Sequence, residues 1–385
     1  MTHDLIVVGG GIGGSAAALR AAQHGLAVAW IRGDDGTARA SRARYVYNVD
    51  NMIGVHDAIV KRKVLELLSG PEHAAARAAL EAAHFHIGTQ DIVDDVAERL
   101  RAGFADEVTF VDRKAVAARR NGGTFEIETD AGEVLGAPAV ILATGVMDRQ
   151  PAVKLTTRTG KVLDDVRWIY PWANNETLLY CILCEGHLVR GARVAVFGAG
   201  EPAAQVALLL HERYDVEVVL LGNGAPLAVA ADTRRLMEAY RIPFHEARVV
   251  EVLDGGKKPK GASLRGFRLE DGTTVEVRFG MVALGLHRVY NDLARQLGAD
   301  LDDRDSGPVE ERHVLVDDAG SETTVKGLFA VGDMSRRRGD APSLKQIYTA
   351  QEYAVRAVQT IDRRRRSARR KAILAGEGGP QRGSP

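Results

Sequence analysis

Asp4-Leu5-Ile6-Val7-Val8-Gly9-Gly10-Gly11-Ile12-Gly13-Gly14 opens the chain with a short apolar run that breaks into glycines. An uninterrupted aliphatic stretch bounded by a turn signal predicts a buried strand from Asp4 to Val8. The Ala-rich run from Ser15 to Gln23 predicts a helix directly after it, and Ala27 to Ile31 a second strand. Gly9, Gly11 and Gly14 occupy the three positions of G-x-G-x-x-G. The first permits a tight turn, the second lets a pyrophosphate approach the backbone, and the third lets the helix pack closely. At the end of the second strand this fold often sets an acid against ribose hydroxyls. Here Arg32 stands there, with Asp34 and Asp35 beyond it.

The pattern recurs further along. Arg193 to Phe197 reads as a strand, Gly198-Ala199-Gly200-Glu201-Pro202-Ala203 as the turn, Ala204 to His211 as the helix and Val216 to Leu221 as the next strand. Gly198, Gly200 and Ala203 hold the fingerprint positions. Glu201 brings negative charge to the turn and Pro202 removes one N–H donor, and both changes weaken an anion site. Between the fingerprints lie the only two cysteines, Cys181 and Cys184, in the order Cys-Ile-Leu-Cys, with the second fingerprint beginning 14 residues after Cys184. One helical turn holds two such sulfurs close enough to open and close a disulfide, and a cysteine at a helix N-terminus gains thiolate character. His187 completes C-x-x-C-x-x-H, but no second cysteine pair is present to close a zinc shell. So short a loop also adds little as a structural crosslink. Two dinucleotide units around a redox pair predict a flavin-dependent disulfide oxidoreductase.

Composition agrees with an α/β enzyme. The 385 residues are 45% hydrophobic and include 41 glycines, and at about 150 residues per domain they divide into two or three domains. Leu5 to Val8 is too short for the apolar core of a signal peptide, and no apolar stretch approaches membrane-spanning length. A cytoplasmic location and intracellular thiol exchange are therefore expected. The net charge of zero conceals an asymmetry: from Arg363 onward there are eight basic residues and one acid, a balance of +7, which leaves −7 for the rest. Residues 362–385 are expected to be a basic disordered tail rather than a polyanion-binding arm, and no nucleic-acid partner is expected.

At this point the chain resembles the low-molecular-weight thioredoxin reductases and their relatives, over nearly all of its length to about Ile361. Tyr180-Cys181-Ile182-Leu183-Cys184-Glu185-Gly186 is similar to the family's Tyr-Cys-x-x-Cys-Asp-Gly, and Asp50-Asn51-Met52-Ile53-Gly54 to its Glu-Asn-x-Pro-Gly loop beside the flavin. Ala143-Thr144-Gly145 resembles the Ala-Thr-Gly after which the chain crosses between domains. Gly327-Leu328-Phe329-Ala330-Val331-Gly332-Asp333 resembles the late flavin motif, and Gln346-Ile347 its Gln-Ala beside the isoalloxazine ring. The resemblance implies two Rossmann-like domains of three-layer ββα type, the second inserted into the first. An FAD domain would comprise residues 1–150 and 286–361, and a nucleotide-binding domain carrying the dithiol residues 151–285. It implies FAD held through Gly9, Gly11, Gly14, Asn51, Thr144, Gly145, Gly332, Asp333, Gln346 and Ile347. A second nucleotide would lie at Gly198, Gly200 and Ala203. Cys184 would be the sulfur nearer the flavin, Cys181 its exchange partner, Glu185 a proton donor and His187 a second titrating group. A homodimer with rotating domains is implied as well.

Departures from the family leave the partners open. NADPH-specific members carry a His-Arg-Arg cluster where this chain reads Leu221-Gly222-Asn223-Gly224, with Arg234 and Arg235 on the following helix. Whether NAD(P)H binds is therefore left open. Ile182-Leu183 replaces a small, polar pair between the cysteines, and Trp168-Ile169-Tyr170-Pro171-Trp172 precedes them. The expected activity is electron exchange between FAD, Cys181–Cys184 and a disulfide on thioredoxin, a similar small redox protein or a small molecule. The alternatives are a dithiol oxidase passing electrons to oxygen, a ferredoxin-dependent reductase and a non-enzymatic flavin redox sensor.

Overall fold

The computed structural model describes residues 3–49, 51–83, 85–156, 162–165, 169–173, 176–258, 261–304, 307–339 and 344–377. Asp50 and Trp168, each part of a sequence motif above, lie outside them. The chain forms two compact units, Met1–Met147 with Arg288–Pro385, and Asp148–His287.

The first unit is built on five parallel strands in the order Leu328–Ala330, Val140–Leu142, Leu5–Val8, Val28–Ile31 and Val108–Val111. Every side chain from Leu5 to Val8 is buried, because parallel strands are covered on both faces and so read as unbroken apolar runs. The helices Ile12–Gln23, Thr89–Gly103 and Ile347–Leu374 supply apolar faces to this core: Ala17, Ala18 and Ala21 from the first, Val96, Ala97 and Leu100 from the second, Ala354, Ala357, Val358 and Ile361 from the third. A three-stranded antiparallel sheet, Ala115–Asn121, Thr124–Thr129 and Val134–Ala137, makes the remaining layer. Strand order reverses at Leu5–Val8: the chain first adds Val28–Ile31 and Val108–Val111 on one side of it and later Val140–Leu142 and Leu328–Ala330 on the other. Such a reversal opens a crevice at the carboxyl ends of the strands, where α/β sheets hold ligands.

The second unit repeats this plan. Its parallel sheet runs Leu178–Leu179, Phe279–Val282, Arg193–Phe197, Glu217–Leu221 and Phe244–His245, with Glu201–Tyr214 and Ala231–Ala239 as helices. Val249–Lys258, Gly261–Leu269 and Thr274–Glu276 form its antiparallel sheet. Ile169 is fully buried and Trp172 packs on the same core as Phe197 and Phe267, so this part of the aromatic stretch serves packing.

Of the expected disordered tail, residues 362–374 are helical and residues 378–385 lie outside the described residues. The last buried side chain of this helix is Ile361, yet it continues to Leu374. Arg364 ion-pairs with Glu322, Arg365 with Asp4 at 3.0 Å and Arg366 with Asp362 one turn back at 2.9 Å. Arginine, lysine and alanine are strong helix formers, so a run without an apolar face still extends a helix nucleated by packing.

Candidate functional site

In the first unit each fingerprint glycine answers a different steric demand. Gly9 has φ +132°, and a Cβ there would lie 2.2 Å from the Ala143 carbonyl oxygen. A Cβ on Gly14 would lie 1.9 Å from the Gly9 carbonyl oxygen, which also accepts a hydrogen bond from the buried Trp30 indole at 2.9 Å. Both glycines are required by the protein's own packing. Gly11 is unlike them. It is the N-cap of Ile12–Gln23 with φ −88°, and the nearest atom to a Cβ there would be the Ala43 Cβ at 3.8 Å. A Cβ there would thus meet no more than ordinary van der Waals contact, at a helix N-terminus with no acid in its first turn. That is the cradle a dinucleotide pyrophosphate needs.

Other expected flavin contacts cluster in the same unit. Asn51 Nδ2 donates to Gln346 Oε1 at 2.9 Å, and Gln346 caps the helix that Ile347 begins. Thr144 donates through its hydroxyl to the Tyr290 carbonyl at 2.6 Å, and Gly145 follows at φ +72°. Gly332 and Asp333 form a 3-10 turn, with Gly332 at φ +73°. Asp333 accepts from Arg42 Nη1 at 2.8 Å, a pairing the sequence did not disclose because 291 residues separate the partners. Arg42 precedes Ala43, the residue whose Cβ lies nearest Gly11, in the 3-10 turn Arg42–Tyr45. Its only sequence signal is a basic residue shortly after the second fingerprint strand. Arg32 pairs with Asp112 at 2.7 Å and lies over the Trp30 and Phe110 rings. Asp34 caps the short helix Asp35–Arg39.

The second unit holds the sulfurs. Cys181 and Cys184 are joined in a disulfide, and Cys181 is the N-cap of the helix Ile182–Glu185. The Cys184 N–H is shared between Cys181 Sγ and the Cys181 carbonyl oxygen, each at 3.1 Å. Glu185 Oε2 accepts from the backbone N–H of Tyr180 and of Cys181, each at 3.0 Å. His187 is exposed in the following 3-10 turn, and the Leu183 side chain between the cysteines is 52% exposed. Tyr180 donates through its hydroxyl to Gln150, a contact no sequence motif announced.

The second fingerprint has the backbone of the first and a different charge. Gly198 sits at φ +147°, Gly200 is the N-cap of Glu201–Tyr214, and Ala203 is buried at the third position. Glu201 accepts from the Thr233 hydroxyl at 2.5 Å, the Ala230 N–H at 2.9 Å and Gln205 Nε2 at 2.8 Å. The Thr233 hydroxyl first, then the Ala230 amide and Gln205, hold its carboxyl below the ordinary range. Asn223 is committed as well: it donates to the Ala152 carbonyl and accepts from the Val249 N–H, both at 2.8 Å. Arg234 and Arg235 are exposed, and Arg235 pairs with Asp232.

Two dinucleotide folds and a C-x-x-C disulfide define a class, the flavin- and nucleotide-linked disulfide oxidoreductases. Residues 3–354 match the family Pyridine nucleotide-disulphide oxidoreductase, and the chain belongs to that family of enzymes. It is 28% identical over 337 residues to an alkyl hydroperoxide reductase subunit of Escherichia coli, covering 86% of this chain and 53% of that protein. It is 24% identical over 345 residues to thioredoxin reductase tcpT of Claviceps purpurea, covering 88% and 89%. The fold matches the crystal structure of thioredoxin reductase from Streptococcus pyogenes with a TM-score of 0.67 at 19% identity, over 95% of this chain and 99% of that one. The chain thus spans about half the length, 53%, of the alkyl hydroperoxide reductase subunits it matches. Members of the family are flavoproteins that use FAD.

Proposed function

We propose that this chain is an FAD-dependent disulfide oxidoreductase that moves electrons between flavin and the Cys181–Cys184 pair, and from there to or from an external disulfide. The observation that carries this is the redox turn: the two cysteines are bonded to each other, and the Cys184 amide, shared between the Cys181 carbonyl and Cys181 Sγ, is within reach of a thiolate there once the bond opens. Opening consumes two electrons and two protons. The exposed Leu183 beside the pair supports docking of an apolar or protein-borne disulfide.

FAD fits the first unit through the amide edge at Gly11, with the Arg42–Asp333 pair and Asn51, Thr144, Gly145, Gln346 and Ile347 lining the later motifs. When bound it supplies two-electron transfer. The chain's residues hold it and hold the dithiol; thioredoxin, another small redox protein or a small disulfide is the partner class. We place the reaction in the cytoplasm, where closely spaced cysteines serve exchange rather than crosslinking. No helix among the described residues is long and apolar enough to cross a membrane. A homodimer is part of this reading, from the family resemblance.

A second reading, dithiol oxidation with electrons flowing from thiols toward flavin and oxygen, is favoured by the second fingerprint. Glu201 engages the amide that opens Ala231–Ala239 and sets a fixed negative charge in the first turn of its own helix, which opposes a nicotinamide dinucleotide. Anaerobic addition of NADPH, NADH, reduced ferredoxin and small dithiols, each alone, separates the two by which reductant bleaches the flavin absorbance. Rapid bleaching by micromolar NADPH removes the second reading, and a protein that cannot be reconstituted with FAD removes both.

A further inference from the structure

In the first unit, residues 32–48 follow the buried strand Val28–Ile31 and contribute no buried side chain of their own. A segment without apolar burial opens locally at little cost, so polar bonds must keep it in place. Three of its carbonyl oxygens, on Ala40, Ala43 and Val46, accept from residues far along the chain. The Tyr290 hydroxyl donates to the Ala40 carbonyl at 2.6 Å. The Thr89 hydroxyl donates to the Ala43 carbonyl and lies 3.2 Å from the Val46 carbonyl, which also accepts the Thr89 N–H at 3.0 Å. Both hydroxyls stand on fixed supports. Thr89 is buried at the start of the helix Thr89–Gly103, while the Tyr290 N–H donates to the Gly145 carbonyl at 3.1 Å and the Tyr290 carbonyl accepts from the Thr144 hydroxyl at 2.6 Å.

The segment held in this way contains Ala43, whose Cβ lies nearest the position of a Cβ on Gly11, and so borders the amide edge that opens Ile12–Gln23. We propose that residues 40–46 are a strap that gates the entry and exit of FAD, and that Tyr290 and Thr89 are positioning residues whose hydroxyls latch it. The inference rests on the reading of the first fingerprint as the FAD site. Both hydroxyls act on carbonyl oxygens of the strap, which are acceptors and offer nothing to a phosphate. They therefore hold the strap to the same degree with and without the cofactor. Weakening either latch raises the open population in both states, so uptake and release quicken together and affinity stays nearly constant. A residue that contacts the cofactor behaves differently, because its loss changes affinity.

Tyr290→Phe and Thr89→Val each delete one hydroxyl and keep the shape of the side chain. In the full-length protein, FAD release is followed after dilution, and FAD uptake after mixing with apoprotein, by the change in flavin fluorescence. Each variant is expected to speed both rates about three- to tenfold, the effect of one hydrogen bond on the open population, with affinity changed by less than about twofold. Trypsin is expected to cut after Arg39 and Arg44, both exposed, faster by a similar factor, because cleavage follows the population of the open form. Thr323→Val, which deletes a buried hydroxyl bonded to Val325 in the same unit, should change none of these readouts. Unchanged rates and unchanged cleavage in Tyr290→Phe would overturn the proposal. So would faster release with uptake unchanged and affinity falling in step, since the two hydroxyls would then merely support the binding surface. A Thr323→Val protein that behaved like the other two would overturn it as well, by reducing the effect to general loosening. Wild-type protein that took up no FAD would remove the reading of the first fingerprint and this proposal with it, whereas normal wild-type uptake with unaltered variants removes the proposal alone.

Discussion

The two fingerprints share a backbone and differ in charge, one helix opening without an acid and the other on Glu201. In the first, the helix Ile12–Gln23 begins without an acid, a Cβ on Gly11 would meet only ordinary contact with Ala43, and the turn that holds Ala43 contributes Arg42. In the second, the helix Glu201–Tyr214 begins with Glu201, whose carboxylate is bound to the start of the next helix through Ala230 and Thr233. Equal geometry thus does not mean equal ligand affinity. Strand, glycine turn and helix provide the amide edge, but the net charge around that edge decides whether a pyrophosphate gains or loses by entering it.

The largest expected effect separates the two units by task. With only two cysteines in the chain, Cys181→Ser and Cys184→Ser should each abolish thiol turnover, by at least about a thousandfold, and leave FAD content at the wild-type level. Either variant retaining turnover would make the disulfide structural and erase the division of labour.

Next is the contrast between Gly11 and its neighbours. Gly11→Leu meets no clash at Cβ, only ordinary contact with Ala43, and a permissive φ of −88°, so the protein should fold with wild-type circular dichroism, yet bind FAD about a hundredfold or more weakly, about 3 kcal/mol, and purify colourless. Gly14→Leu should fail to fold, because its Cβ would strike the Gly9 carbonyl. Gly200→Leu should remain yellow. Flavin loss in Gly200→Leu, or full flavin in Gly11→Leu, would mean that the cofactor sits elsewhere.

The glycine triads and the cysteine pair were legible in the sequence because their chemistry is local: an apolar run, a turn and a helix lie within about twenty residues of one another. What could not be read was which distant side chain would meet each turn. Asp333, Gln346 and Asn51 were visible as motif residues and Arg42 was not, and the pairings Arg42–Asp333 and Asn51–Gln346 arise only through the fold. Asn223 presents the same limit in another form. As sequence it is an unspecialised residue where a nucleotide-specificity cluster would lie, and in the structure both ends of its amide hold backbone. Gly224 beside it has φ +91° and faces the Arg248 side chain, so installing basic residues at these two positions would disturb packing before it tested recognition. The helical tail was missed for a different reason, since charge runs lacking an apolar stripe read as disorder unless the helix has already been nucleated.

Arg42 gives a smaller, graded test of the charge contrast. Arg42→Met removes the guanidinium that pairs with Asp333 of the late flavin motif, so FAD should bind about tenfold more weakly while the fold persists. Equilibrium dialysis or fluorescence recovery of released flavin measures it. Unchanged affinity would place the deciding charge outside this pair and weaken the electrostatic side of the comparison.

The smallest expected effects come from Glu201, and one of them is the absence of a change. Glu201→Gln keeps one oxygen to accept from the Ala230 N–H, turns its amide nitrogen to the Thr233 hydroxyl and removes the charge, so NADPH-driven flavin reduction should rise a few-fold from a low base. Acidification should not mimic that substitution. A carboxyl whose folded-state pKa is depressed stays ionised until the pH falls through that lowered value, and Glu201 is held below the ordinary carboxylate range by the Thr233 hydroxyl, the Ala230 amide and Gln205. Between pH 8 and about pH 5.5 its charge is constant, and the rate with NADPH, corrected for wild-type dithiol turnover at each pH, should stay flat. A rate that climbed as the pH dropped through this window in the wild-type protein, and not in Glu201→Gln, would show that Glu201 titrates well above the position its three donors imply. The second fingerprint would then be a gated nucleotide site rather than a closed one, and the two halves of the chain would differ in regulation instead of in ligand.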